Sequence, residues 1–424
     1  MRLLALCAAG ACLLASSALA QPVAITNARL ITVGPKGVVE DGVLVFEDGV
    51  IKAVGDARTP IPADARRIDV KGSVVTPGII SADGSLGLSE VGSVDGAADN
   101  RTRTPGLGAA FDIQYALNPE SLLIPLARSG GVTRAVVSGH AGGPGLDGRP
   151  QLFSGQAALI SLDPATRLDV RPKVAMSLDI GEAGAAASGG SRAAELIALR
   201  AAFEDVRLFQ KNRAAYERGE LRSLALSQAD LEALIPVLDG RQRLVIGVSR
   251  ASDIEQALRL AAEYRLKIVL SGAEEGWQVA RQIAAAKVPV IVDPLANLPG
   301  SFEQLGATLY NAARLQAAGV EVVVGGGGSA GGVRDLRYNA GIAVARGLSY
   351  DKAIEGLTLA TARTFGVADK LGSLEPGKIA DIVVWSGDPF QPASAATAVF
   401  IAGREQSQQS RVRALRDRYL KPQP

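Results

Sequence analysis

The sequence has very few of the residues that build most catalytic metal sites. Its 424 residues include one histidine, His140, and two cysteines, Cys7 and Cys12. Zinc is held in proteins by imidazole, thiolate and carboxylate groups, and a catalytic site usually takes three such protein ligands. A site with two or more histidines from one chain is therefore excluded, and so is every zinc finger.

The sequence also lacks an excess of charge of either sign. It has 45 Lys and Arg residues against 43 Asp and Glu residues, a net charge of +2. This balance gives no electrostatic reason to expect nucleic acid or an anionic membrane surface as a partner. Beyond residue 20, no run reaches the roughly 18 uncharged apolar residues that a membrane span needs, so we expect no membrane span.

Residues 1–20 have the three parts of a secretory signal peptide. Arg2 provides the positive start, residues 3–15 are apolar, and residues 18–20 are small, which predicts cleavage after Ala20. A lipid anchor at Cys12 is the less favoured alternative, because the residues before it match the usual processing site poorly. The mature chain would then contain no thiol, and we expect a periplasmic or secreted protein.

Both ends of the remaining chain have the pattern of short β-strands. Residues 23–55 alternate apolar runs with Asp-Gly turns, and similar runs return at 380–385 and 396–403. We therefore predict one small β-sandwich domain built from both termini, comprising residues 21–73 and 372–410.

The middle of the chain alternates strand-like and helix-like segments. Short apolar runs typical of buried parallel strands recur between them: 74–80, 131–137, 174–178, 243–249, 267–271, 289–293 and 320–324. Seven or eight such repeats predict an α/β protein whose residues 74–371 form a (β/α)8 TIM-type barrel.

Two local motifs allow a functional and a structural interpretation. Residues 247–251, GVSRA, are placed like a nucleophile elbow, but His140 precedes Ser249, whereas that fold places its histidine after the nucleophile; an ordinary barrel loop is favoured. Residues 325–332, GGGGSAGG, contain G-x-G-x-x-G, but no strand follows to carry the ribose-binding acid. An anion site there, beside Arg334, stays open.

The ends of the barrel region resemble the amidohydrolase superfamily, in its imidazolonepropionase-like branch. The segment VVTPGIISADGSLG (74–87) is similar to the family's T-P-G-L-I-D-A-H-x-H-L-G, and ATARTFGVADKLGSLEPGKIADIVVWSGDP (360–389) closely resembles the family's C-terminal motif. The resemblance implies a metal-dependent hydrolase fold that acts on carbon–nitrogen bonds, normally with zinc.

The same resemblance implies that the metal ligands are missing here. Asp83 and Ser85 stand where the family has its first two histidines. Gly247 lies in the stretch where the family has its next histidine, and of that stretch only Arg250 is kept. Ser271 replaces the following histidine and Gly327 the catalytic aspartate. Without a metal, water keeps its high pKa and the scissile carbonyl is not polarised, so we expect no zinc and no other cofactor.

Our leading hypothesis is a secreted binding or partner subunit that has lost the family's hydrolytic activity. Its ligand is an unknown small molecule, and an intact amidohydrolase subunit or a second copy of the chain are the candidate partners. The candidate pocket residues lie at the ends of predicted barrel strands: Asp83, Ser85, Arg250, Ser271, Asp293, Gly327 and Arg334.

Three alternatives stay open at this point. The first is an active hydrolase of carbon–nitrogen bonds with a rearranged site. The second is a periplasmic protein that binds a small anion at residues 325–333. The third is a calcium or magnesium site formed by Asp83, Asp179 and Asp293, since both ions prefer oxygen ligands. His140 either lines the site or is held by local hydrogen bonds.

Overall fold

The computed structural model describes residues 21–92, 94–148, 150–326, 331–409 and 411–420. The predicted signal peptide, with Cys7 and Cys12, lies outside the described residues, and so does Gly327. No helix in the described part of the chain is both long and apolar enough to cross a bilayer.

Strands from the two ends of the chain form one outer sheet. Its strands are β1 (Val23–Ile31), β2 (Val38–Glu47), β3 (Val50–Gly55), β4 (Arg66–Asp69), β5 (Val74–Pro77), β14 (Ile382–Trp385), β15 (Ala396–Ile401) and β16 (Arg404–Glu405). The order is β16-β15-β14-β5-β1-β2-β3, and β4 pairs in parallel with β1. Strand β5 joins the two ends because it pairs with both β1 and β14.

A second sheet of eight strands curls into the TIM-like barrel. Its strands follow one another in sequence order: β6 (Ile79–Ser81), β7 (Val132–Val137), β8 (Gly155–Ser161), β9 (Arg171–Asp179), β10 (Arg243–Val248), β11 (Ile268–Gly272), β12 (Val290–Val292) and β13 (Val322–Val324). The α/β barrel with a separate sheet from both termini is therefore confirmed. The exact domain boundaries stay a prediction.

Two details of the barrel differ from the sequence prediction. The predicted strand at 74–80 is divided between the two sheets, and the chain crosses at Gly78, where a Cβ atom would overlap Thr133. Strand β8 was not predicted, although all seven of its residues are buried. It runs antiparallel to both β7 and β9, so the regular strand–helix alternation is interrupted there.

Twelve α-helices lie in the described part of the chain. They are α1 (Leu123–Ser129), α2 (Glu182–Ala187), α3 (Arg192–Lys211), α4 (Arg213–Glu217), α5 (Gln228–Leu238), α6 (Ala251–Tyr264), α7 (Ala280–Ala285), α8 (Asn311–Ala317), α9 (Leu336–Ala345), α10 (Tyr350–Leu357), α11 (Leu359–Thr364) and α12 (Arg411–Leu420). Most of them connect successive barrel strands.

The pleat of the barrel strands separates two apolar cores. Val136, Val269 and Ile291 pack together inside the barrel with Phe365. Their neighbours along each strand, such as Ile268 and Val290, belong to the larger core that includes buried faces of the helices. Successive residues of a strand point to opposite faces, so polar residues that follow the strand ends are delivered to the open mouth of the barrel.

Candidate functional site

A polar cavity lies at the carboxyl ends of the barrel strands. It has a volume of about 110 Å³, and its polar side chains come from four strand ends: Asp83, Ser138, His140, Ser177, Asp179 and Ser271. A wider recess of about 350 Å³ adjoins it, shares Asp83 and Ser271, and adds Asp293 and Gly326. Together the cavity and the recess are the candidate site.

Asp83 and Asp293 are placed by short hydrogen bonds after their strands. The Ser81 hydroxyl donates to the Asp83 carbonyl oxygen at 2.8 Å, which holds the turn after β6. The Leu295 amide donates to Asp293 Oδ1 at 2.9 Å, which orients that carboxylate after β12. Both carboxylates are therefore held at the mouth by local backbone geometry.

Two glycines after β13 let the chain approach these carboxylates. A Cβ atom at Gly325 would lie 3.0 Å from Asp83 Oδ2, and one at Gly326 would lie 2.6 Å from Asp293 Oδ1. Gly326 also has φ +92°, a conformation that favours glycine. Asn339 Nδ2 donates to the Gly325 carbonyl at 3.3 Å and keeps the segment close. A larger residue at either position would displace an acid of the site.

Asp179 ends β9 and reaches over its neighbouring strand. Its Oδ2 accepts a hydrogen bond from the Ser154 hydroxyl at 3.3 Å. Its Oδ1 occupies the space that a Cβ atom at Gly247 would fill. Burial raises the pKa of the Asp179 carboxyl, and the nearby His140 and Ser154 partly oppose that shift.

His140, the chain's single histidine, lines the cavity from the loop after β7. Its backbone amide donates to the Asn100 carbonyl at 2.8 Å, while its side chain is exposed at the rim. Partial desolvation lowers the pKa of the imidazole; Asp179 acts in the opposite direction, and Arg101 lowers it further. Desolvation therefore disfavours the charged form of the ring.

Three other predicted site residues lie away from the cavity and the recess. Ser85 is buried in the turn that follows Asp83. Arg250 donates to Asp253 at 2.7 Å at the start of α6. Arg334 is half-exposed and pairs with Asp335 at 3.3 Å. Gly327 lies outside the described residues.

The serine of the GVSRA motif lies elsewhere. Ser249 is buried, and its hydroxyl accepts from Gln304 Nε2 at 3.5 Å. It lines neither the cavity nor the recess, whereas His140 lines the cavity. The structure therefore gives no support to a Ser–His nucleophile, in agreement with the loop interpretation.

The residues of the mouth do not fit a zinc ion. Among the described residues, no group of three or more His, Cys, Asp or Glu side chains is arranged to hold a metal. Gly247 and Gly325 provide no side-chain donor, and the Ser271 hydroxyl is a poor ligand near neutral pH. Catalytic zinc usually takes three protein ligands, and this donor set does not supply them.

Asp179, Ser138 and Ser177 belong to the site although they were not proposed as pocket residues. Asp179 was considered only as an oxygen ligand for a hard cation. The rule that polar residues at the carboxyl ends of barrel strands line the site applies to all three. The signal for these three residues was therefore present in the sequence.

Comparisons with known proteins agree with the fold. Residues 270–408 match the amidohydrolase family. The crystal structure of an amidohydrolase from Thermotoga maritima MSB8 superimposes with a TM-score of 0.80, at 24% sequence identity, over 91% of this chain and 100% of that chain. The fold is thus that of an amidohydrolase, a barrel with an accessory sheet.

Two curated relatives support this assignment. Amidohydrolase tasK of Hapsidospora irregularis is 22% identical over 401 residues, which is 86% of this chain and 40% of that protein. Imidazolonepropionase of Nocardia farcinica is 32% identical over 126 residues, 27% of this chain and 32% of that protein. The chain thus spans less than half of each relative's length. Its likeness to these proteins and the match of residues 270–408 agree with the amidohydrolase fold.

Proposed function

We propose that this protein is a binding or partner subunit on an amidohydrolase scaffold, without the family's metal-dependent hydrolysis. The observation that carries the proposal is the set of residues at the mouth. The ends of β10, β11 and β13 present Gly247, Ser271 and Gly325. None of these supplies a strong zinc ligand.

The remaining polar groups support binding better than hydrolysis. A metal activates water at neutral pH because the bound ion lowers the pKa of that water. Asp83, Asp179 and Asp293 are each held at the mouth, but no group of three ligands is formed in the described part of the chain. A cleft with a few converging polar groups is typical of a small-molecule site.

An active hydrolase of carbon–nitrogen bonds is the second candidate. It is supported by the match of residues 270–408 to the amidohydrolase family and by His140 and Asp179, which line one cavity and have shifted pKa values in opposite directions. Such pairs occur at acid–base sites. An anion-binding role has less support, because Arg334 pairs with Asp335 and lies outside the cavity and the recess.

A partner role has independent support from the loop after β12. Leu298, Phe302 and Leu305 expose 79%, 86% and 65% of their surface, and apolar side chains grouped on a surface often mark interaction sites. An intact amidohydrolase or a second copy remain the candidate partners. Light scattering of the purified protein separates a dimer from a monomer.

The deciding experiment combines metal content with activity. The protein is purified, dialysed, supplied with excess zinc and dialysed again, and is then assayed on a panel of amides and dipeptides. We expect far less than one zinc per chain and no turnover above background. Retained zinc near one per chain, or turnover that Asp83→Ala abolishes, would overturn the proposal in favour of the hydrolase.

We also propose that the protein is exported to the periplasm or secreted. The support is the composition of residues 1–20, with Arg2 followed by an apolar segment and small residues. Mass spectrometry of the protein from cell fractions tests this. A mature chain beginning at Gln21 in the periplasmic fraction is expected, and an uncleaved cytoplasmic chain would contradict it.

A further inference from the structure

We infer that the cavity and its adjoining recess bind an organic cation, a primary ammonium or guanidinium group carried by a small molecule. This inference rests on the proposed function and names the ligand class of the same site. Three features carry it: the charges of the lining residues, a carboxylate oxygen without a partner, and the shape of the space.

The cavity and the recess are lined by acidic side chains. Asp83, Asp179 and Asp293 line the cavity or the recess, and neither is lined by any lysine or arginine. The one basic side chain there is His140, and desolvation lowers the pKa of its imidazole. A ligand that brings positive charge is therefore favoured, whereas an anion would be repelled.

Asp179 offers an acceptor that the described residues do not use. The Ser154 hydroxyl binds Oδ2 at 3.3 Å and fixes the carboxylate. Oδ1 lies over Gly247 beside the cavity and accepts no hydrogen bond within the described part of the chain. Because Oδ1 borders the cavity, an N–H donor of the ligand can reach it.

The shape of the space favours an organic cation over a metal ion. A metal needs several ligands at short, fixed distances, and no such group of side chains occurs among the described residues. An ammonium or guanidinium group can instead donate hydrogen bonds to widely spaced acceptors. Here these are the carboxylates together with the hydroxyls of Ser177 and Ser271. The cavity of about 110 Å³ has room for a head group of a few heavy atoms, and the recess leaves space for its substituent.

Thermal unfolding in the presence of defined probes tests the inference. The full-length protein is heated with n-butylammonium chloride, guanidinium-bearing agmatine, sodium butyrate or magnesium chloride, all at the ionic strength of a sodium chloride reference. We expect the two cations to raise the Tm in a saturable manner. Butyrate and magnesium should leave it at the reference value.

Two variants locate the effect, and a third is the matched control. Asp179→Asn and Asp293→Asn should each reduce the apparent affinity for butylammonium by about tenfold or more, roughly the loss of one charge-assisted hydrogen bond. Asp64→Asn removes an exposed carboxylate of the outer domain and should bind as the parent does. Circular dichroism checks that each variant is folded. If one of the two mouth variants does not fold, the other still tests the inference.

The outcomes separate this inference from the proposed function. A Tm increase with butyrate alone would overturn the cation assignment but leave a small-molecule binding protein. No cation effect, or an effect that both mouth variants retain, would overturn the inference as well. Tight metal binding with turnover would overturn the proposed function itself.

Discussion

Asp179 and Gly247 are register partners on the parallel strands β9 and β10, and the Asp179 carboxylate fills the space beside the glycine. A Cβ atom at position 247 would overlap Asp179 Oδ1. The acid and the glycine are therefore interdependent: no larger residue can stand at 247 unless Asp179 moves. At this point of the mouth the Asp179 carboxylate therefore takes the space that a side chain at position 247 would fill.

Gly247→Ala should destabilise the fold and disturb the site together. The new methyl group must displace the Asp179 carboxylate, and such overpacking typically costs about 1–3 kcal/mol. Urea unfolding measures the free energy. Gly92→Ala is the control, because a Cβ atom there meets nothing within 4 Å. Equal stability of the two variants would contradict this prediction, because it would mean that the Asp179 carboxylate moves aside without a cost in free energy.

Asp179→Asn should stabilise the protein at pH 7. Burial raises the folded-state pKa of Asp179, so the charged form is disfavoured in the fold and its cost appears as the pH rises above the unfolded-state value. The neutral amide keeps the shape and avoids that cost. The difference in unfolding free energy between parent and variant should be larger at pH 7 than at pH 4. A variant less stable than the parent at pH 7 would contradict this.

Glu195→Gln should stabilise the protein above pH 5. Glu195 is 1% exposed, its Oε1 has no hydrogen-bond partner among the described residues, and burial raises its pKa to about 8. The folded protein therefore keeps the Glu195 carboxyl protonated at pH values where the unfolded chain has already released that proton, above about pH 4.5. The free energy of unfolding therefore falls as the pH rises from about 4.5 to 8. We expect a gain of about 2–4 kcal/mol at pH 8.

The pH dependence is the control for Glu195. The parent and Glu195→Gln should have nearly equal stability at pH 4, where the carboxyl is protonated in both states. Chemical denaturation at pH 4, 6 and 8 measures the difference. A constant difference across this range would mean that the effect comes from packing and not from the proton.

The single histidine allows a direct test of the site's electrostatics. His140 should titrate below the ordinary pKa of about 6.5, because desolvation outweighs the attraction of Asp179. Asp179→Asn should lower the pKa further, and Arg101→Gln should raise it, since Arg101 disfavours the charged ring. Histidine-selective NMR labelling gives one signal to follow. A pKa unchanged in both variants would separate His140 from this cluster.

Much of the fold could be predicted from the sequence because its signals are local. The Asp-Gly turns and apolar runs near the N-terminus, with similar runs near the C-terminus, predicted the outer sheet. The buried apolar runs between them predicted the barrel. Strand β8 was missed because it follows a glycine-rich segment and pairs antiparallel, so neither the strand–helix alternation nor a flanking helix marked it.

The site was predicted less completely, because side-chain partners depend on tertiary contacts. Asp83, Ser271 and Asp293 line the cavity or the recess since each follows a barrel strand. Arg250 follows one too, yet Asp253 on the next helical turn binds it. His140 had no periodic signal, and its place in the cavity follows from the path of the loop after β7.

Calorimetric titration with zinc is the most direct test of the central proposal, that the barrel mouth of this protein does not hold zinc. The metal-free protein is titrated at pH 7.5, with Asp83→Ala and Asp293→Ala run beside it. We predict only weak binding that is the same in all three proteins. A stoichiometry near one zinc per chain with submicromolar Kd, weakened by either substitution, would contradict the account.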